Sequence, residues 1–133
     1  MNWIIGGMKW IMLVAGLLTC TMLYAAIAPQ AALRGTFGET LEGPVADIVV
    51  RNWGVLIALM GAMLIYGAYN VAVRPLVLAV TGVSKLVFIA LILTIGQQFL
   101  SFQAGIAVVS DTIQVILFAL YLLAVRRPIR AAV

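Results

Sequence analysis

The sequence predicts an all-α fold: a polytopic integral membrane protein whose four transmembrane helices pack as an antiparallel bundle in a single membrane domain, 1–133. Three observations predict it. Of 133 residues, 65% are hydrophobic and 9% charged, too little polar surface to clothe a water-soluble fold of this size. Four apolar stretches, at approximately 3–28, 46–69, 75–96 and 106–127, are each long enough to cross a hydrocarbon layer of about 30 Å at about 1.5 Å per residue. The link between the second and third stretches, 70–74, is short, and links that brief join antiparallel neighbours.

The first stretch is apolar from Trp3 to Ala28, interrupted only by Lys9, and Pro29 is its stop. A secretory signal is the rival reading, because a cation precedes an apolar run and Ala26-Ile27-Ala28 has the small-x-small cleavage pattern. Eight mostly apolar residues before Lys9, and a proline at the first mature position, count against it. A polar outer loop, 29–45, follows, with Gly35 and Gly38 as breakers. Gly43-Pro44 opens the second span, and Asp47 falls in its first turns, where a carboxylate suits the positive helix end. Pro75 opens the third span, since proline has no N–H to lose in a first helical turn. After Gln97-Gln98 the segment is mixed. The fourth span begins at Ala104 or, with Ser110 as its N-cap, later; the chain closes on the basic tail at 126–130.

Charge is distributed unevenly between the two ends of such a bundle. Lys9, Arg74, Arg126, Arg127 and Arg130 fall at one face and only Arg34 and Arg51 at the other, which predicts both termini on the cytoplasmic side of a bacterial inner membrane. All four acids, Glu39, Glu42, Asp47 and Asp111, then fall on the outer side. Trp3, Trp10, Tyr66, Tyr69 and Tyr121 are placed in an inner aromatic belt, and Tyr24 and Trp53 in an outer one. The net charge of +4 does not point to nucleic acid, because the cations sit at helix ends rather than in a stripe.

One cation falls elsewhere. Lys85 lies about 15 Å along the third helix from Pro75, near the hydrocarbon midplane, where an ammonium costs about 2.5–3.5 kcal/mol or more unless it is paired or faces water. Helical spacing supplies candidates for a polar pocket or interface. Asp47 and Arg51, one turn apart with the acid first, favour a pair, and Asp111 with Gln114 shares a face of the fourth helix with Phe118 and Tyr121. A closed bundle is expected to gather Arg51, Lys85, Asp111 and Gln114 below the outer surface. Asp111 is the best partner for Lys85, with depths that differ by one or two turns. Gly54, Ala58 and Ala62 form a small-residue ridge that lets another helix approach.

Catalytic signals are weak. With no histidine and one cysteine, Cys20, there is no Ser/His/Asp or Cys/His set, no metal-ligand cluster and no internal disulfide, and no glycine-rich phosphate loop occurs. No enzymatic activity, cofactor or metal is expected.

The pattern RNWGVLIALMGAMLIYGAY at 51–69, the Arg74-Pro75 link and a third helix with a central polar residue resemble the DoxX-like group of small four-helix bacterial membrane proteins, in its uncharacterised branch. The resemblance implies the four-helix layout and carries no common activity. The resulting expectation is an accessory subunit embedded in the lipid bilayer and packed against other membrane-protein subunits or copies of itself. The alternative is a small-molecule or ion carrier that uses Lys85 with the acids of the outer half.

Overall fold

The computed structural model describes the backbone of residues 2–131 and the side chains of residues 2–126. Among these residues the structure is all-helical. Helix α1 covers Asn2–Ile27 and tightens into a 3₁₀ turn at Thr21–Leu23. It stops because Pro29 forces Ala28 out of the helical region, to φ −132°, ψ 72°. Helix α2, Pro29–Phe37, follows directly. The spans α3, Pro44–Tyr69, α4, Arg74–Ile95, and α5, Gln103–Ala131, complete the chain, with a short 3₁₀ turn, Gln97–Phe99, between the last two. α1, α3, α4 and α5 are each long and apolar enough to cross a membrane, so this is a multi-pass membrane protein.

The structure corrects the expectation of an open polar loop at 29–45. Nine of those residues form α2, with proline at its start and the helix formers Ala31, Ala32 and Leu33 inside it. It buries Ala32, Leu33 and Thr36 against the bundle end. Gly38, at φ 73°, ends it in the left-handed conformation, its N–H donating to the Arg34 carbonyl at 2.8 Å. Glycine is required there twice over, since a Cβ would lie 2.3 Å from the Phe102 ring.

The fourth span also starts earlier than a Ser110 cap implies. α5 begins at Gln103, so Ser110 and Asp111 lie inside the helix. The chain enters through a tight turn in which Gly105 approaches the Leu100 carbonyl so closely that a Cβ would sit 1.9 Å from its oxygen. The side chains of the basic tail at Arg127 and Arg130 lie outside the described residues.

Packing differs between the two ends of the bundle. At the end holding the start of α1, one core joins all four spans: Ile4, Met8 and Met12 of α1, Leu64 and Ala68 of α3, Val77 and Leu78 of α4, and Phe118, Tyr121 and Ala124 of α5. Toward the other end the core divides. Ala25, Ala32, Leu33 and Val50 join α1, α2 and α3, while Ile92, Ala104 and Val108 join α4 and α5. Phe37 bridges the halves, 6.3 Å from the Trp53 ring and 5.2 Å from the Phe99 ring between centroids. The spans are therefore closed at one end, parted in the middle and capped by α2 at the other.

The small-residue ridge on α3 is also corrected. Gly54 meets Ala25 and Ala26 of α1, and the Ala58 carbonyl accepts a weak bond from Cys20 Sγ, but Ala62 is exposed. The seam continues instead through Gly61, which faces Gly16 so closely that a Cβ on either would lie 2.7–2.8 Å from the other's carbonyl oxygen. At 3.6 residues per turn, two steps of four rotate about 80° off the starting face, whereas a step of four and one of three return to within about 20°.

Candidate functional site

Lys85 projects from the middle of α4 and Asp111 from the third turn of α5, and their side chains meet: Nζ donates to Oδ1 at 2.8 Å. The two side chains retain 11% and 17% exposure, so the pair is largely but not fully withdrawn from the outside. The offset in depth expected from the sequence is absent, because α5 starts about two turns before Ser110 and Asp111 is carried deeper. Gln114, one turn further along α5, is 8% exposed. Its Nε2 donates to Ser110 Oγ at 3.0 Å, while its Oε1 is buried with no partner among the described residues. Reversing the amide leaves the count unchanged: the hydroxyl then serves the oxygen and the nitrogen is unpartnered.

These groups line a cavity of about 700 Å³ where the bundle parts. Thr81, Ser84, Lys85, Ser110, Asp111 and Gln114 form a polar floor on the α4–α5 side, Thr19, Thr21 and Tyr24 of α1 add polar groups opposite, and the apolar lining includes Trp53 and Met60 of α3 and Phe88 and Leu91 of α4. Thr36 of α2 and Gln103 at the start of α5 reach it from the capped end. Leu56 on α3 and Val87 and Leu91 on α4 line the cavity and are themselves exposed on the outer surface of the bundle. Leu18 of α1 and Ile106 of α5 line it and are also exposed, so the cavity opens onto the apolar outer face of the bundle as well as reaching α2.

Arg51 and Asp47 do not join this group. Arg51 Nε donates to Asp47 Oδ2 at 2.9 Å, both side chains nearly half exposed, and its Nη1 donates to the Ala26 carbonyl, one of the last carbonyls of α1. The guanidinium therefore straps the end of α1 to the start of α3. Exposed ion pairs contribute little by themselves.

Sequence reasoning missed two roles. Trp53, assigned to the outer belt, is a cavity wall in contact with Phe37; it sits one residue from the small-residue seam on α3, and that position was the available signal. Arg74, counted as a surface cation, is 5% exposed. Its Nε and Nη2 donate to the carbonyls of Gly67 and Ala68 at 3.0 and 2.8 Å, closing the open C-terminal end of α3. The guanidinium lies 5.6 Å from the centre of the Tyr121 ring, so Tyr121 is a core residue and not part of an interfacial belt. Lys9 lies 4.7 Å from the Tyr69 ring and 5.5 Å from the Trp10 ring, tying α1 to the same helix end.

No group of three His, Cys, Asp or Glu residues is placed to hold a metal ion among the described residues. The arrangement instead offers one cation, one anion and an unsatisfied amide at the bottom of an amphipathic cavity. No family model, curated protein or solved structure matches this chain.

Proposed function

We propose that the protein is a membrane-embedded binding protein and carrier for a small amphiphilic molecule, with Lys85 and Asp111 as its polar recognition pair. The observation that carries this reading is the placement of a buried ion pair and an orphaned amide on the floor of a cavity of about 700 Å³ that opens toward lipid. Intramembrane charges facing a cavity mark ligand or ion pathways, carrier sites lie near the bilayer midplane, and pockets of this size take small ligands. The orientation supported by the charge distribution puts both termini in the cytoplasm of a bacterial cell and α2 on the outer side. A DoxX-like kinship belongs to the same proposal and rests on the 51–67 pattern and the Arg74-Pro75 link.

An accessory-subunit role is the second reading. A groove of about 400 Å³ between α1 and α5, lined by Trp10, Val14, Leu18, Ile113 and Leu117, favours it, since such a groove accepts a neighbouring helix.

Native mass spectrometry of the protein extracted in mild detergent from its own membrane separates the two. A retained small molecule of a few hundred daltons, lost from the Lys85→Met/Asp111→Leu double variant, is the expected result. A stoichiometric larger subunit with no small-molecule adduct would overturn the carrier reading in favour of the second.

A further inference from the structure

Resting on that reading, we infer that the cavity selects an uncharged amphiphile with a hydroxyl-bearing head, of the monoacylglycerol type, and discriminates against fatty-acid anions and alkylammonium cations of the same chain length.

The first ground is charge. Among the residues lining the cavity, Lys85 is the single cation and Asp111 the single anion, and they already neutralise each other at 2.8 Å. An anion drawn to the ammonium is brought beside the carboxylate, and a cation drawn to the carboxylate is brought beside the ammonium. Attraction and repulsion then largely cancel, while the full cost of removing the ion from water remains. A neutral head has no such cost.

The second ground is hydrogen bonding. The ammonium has three N–H groups, of which one is used on Asp111 Oδ1, so the head must supply an acceptor. The carboxylate has a second oxygen, so the head must also supply a donor. A hydroxyl does both, and each such bond to an ionised partner is of the stronger, charge-assisted kind. Gln114, one turn along α5 from Asp111, lines the same cavity. One end of its amide is unpartnered whichever way the group is turned; that end is closed off where it stands, and a second hydroxyl satisfies the amide once its side chain swings from Ser110 toward the cavity.

The third ground is shape. The two charged groups lie together on the α4–α5 side, while Trp53, Met60, Phe88 and Leu91 give the cavity apolar lining and Leu56 and Val87, also lining it, are exposed. A head beside Lys85 and Asp111 therefore leaves its chain against apolar lining that reaches the exposed outer face of the bundle.

The test is a competition on the full chain in nonionic detergent. The protein is incubated with an equimolar mixture of 1-monooleoylglycerol, oleate and oleylammonium and repurified, and the retained lipids are extracted and quantified. Monooleoylglycerol is expected at about one per chain, at least tenfold above either ion. Asp111→Asn gives the floor a net positive charge and is expected to move the preference toward oleate by at least tenfold. Gln114→Leu is expected to lower retention of monooleoylglycerol without changing the order. Wild-type protein that retains oleate or oleylammonium as well as monooleoylglycerol, or better, overturns the inference while leaving an amphiphile carrier in place. Retention of none of the three overturns both. The wild-type order decides the matter even where a variant fails to fold.

Discussion

Removing one member of the Lys85–Asp111 pair is expected to harm the protein far more than removing both. At the observed 2.8 Å and an effective dielectric of about 20, the attraction is about 6 kcal/mol, and withdrawing the two ions from water offsets most of it. A fully buried charge left without its partner costs about 3–5 kcal/mol. With 11% and 17% of the side chains still exposed, Lys85→Met or Asp111→Leu alone is expected to cost about 2–3 kcal/mol, because water in the cavity screens part of the orphaned charge. The double variant replaces both ions with apolar groups and is expected within about 1 kcal/mol of wild type, giving a coupling of about 3 kcal/mol or more. The assay is reversible unfolding in mixed micelles with increasing mole fraction of denaturing detergent, followed by circular dichroism. Additive single effects, with a coupling under about 0.5 kcal/mol, would show that the two groups do not depend on each other and would refute the reasoning.

Other expectations concern the parts of the fold that shape the cavity. Arg74→Met removes two buried charge-assisted bonds from the end of α3 and is expected to lower stability by about 2–4 kcal/mol in the same assay; Arg74→Lys recovers less than half, because an ammonium cannot fork across both carbonyls. Gly61→Ala drives a methyl against the backbone of Gly16 and Cys20 and is expected to cost about 1–3 kcal/mol. Gly6→Ala meets nothing within 4 Å and is expected to be neutral or to stabilise by up to about 1 kcal/mol; equal effects at the two glycines would contradict the α1–α3 seam. Phe37→Ala unfastens α2 from Trp53 and Phe99. In a Cys20→Ala background, a cysteine placed at Ser84 is then expected to react with a water-soluble thiol reagent about tenfold faster, and an unchanged rate would show that α2 is no barrier over the cavity.

The four spans are legible in the sequence because the bilayer sets a length and a polarity that each segment must meet on its own. Pro44 and Pro75 mark helix starts for an equally local reason, the missing N–H, and Pro29 marks where the first span must stop. The inward faces of α4 and α5 are legible too. Thr81, Lys85 and Ile92 share one, Gln114, Phe118 and Tyr121 the other, and both follow the helical period. What the tertiary structure decided lies between segments. Helix α2 was hidden because a nine-residue amphipathic segment rich in polar residues reads as loop until it has a bundle end to bury Leu33 and Phe37 against. The seam at Gly16 and Gly61, rather than Ala62, depends on which faces of two helices meet, and an apolar sequence holds many equivalent small-residue ladders. Arg74 could be recognised as a cap only once the last carbonyls of α3 were seen to lie beside it. The meeting of Lys85 with Asp111, and the exclusion of Arg51 from their company, rest on register: a shift of α5 by two turns separates the pair by about 10 Å, and nothing local to either residue fixes that shift. It is set by the tight turn at Leu100–Gly105 and by the core at the opposite end. Hydrophobicity is a property each helix carries alone, whereas a binding site is a relation among several, and such relations come into being only when the helices pack.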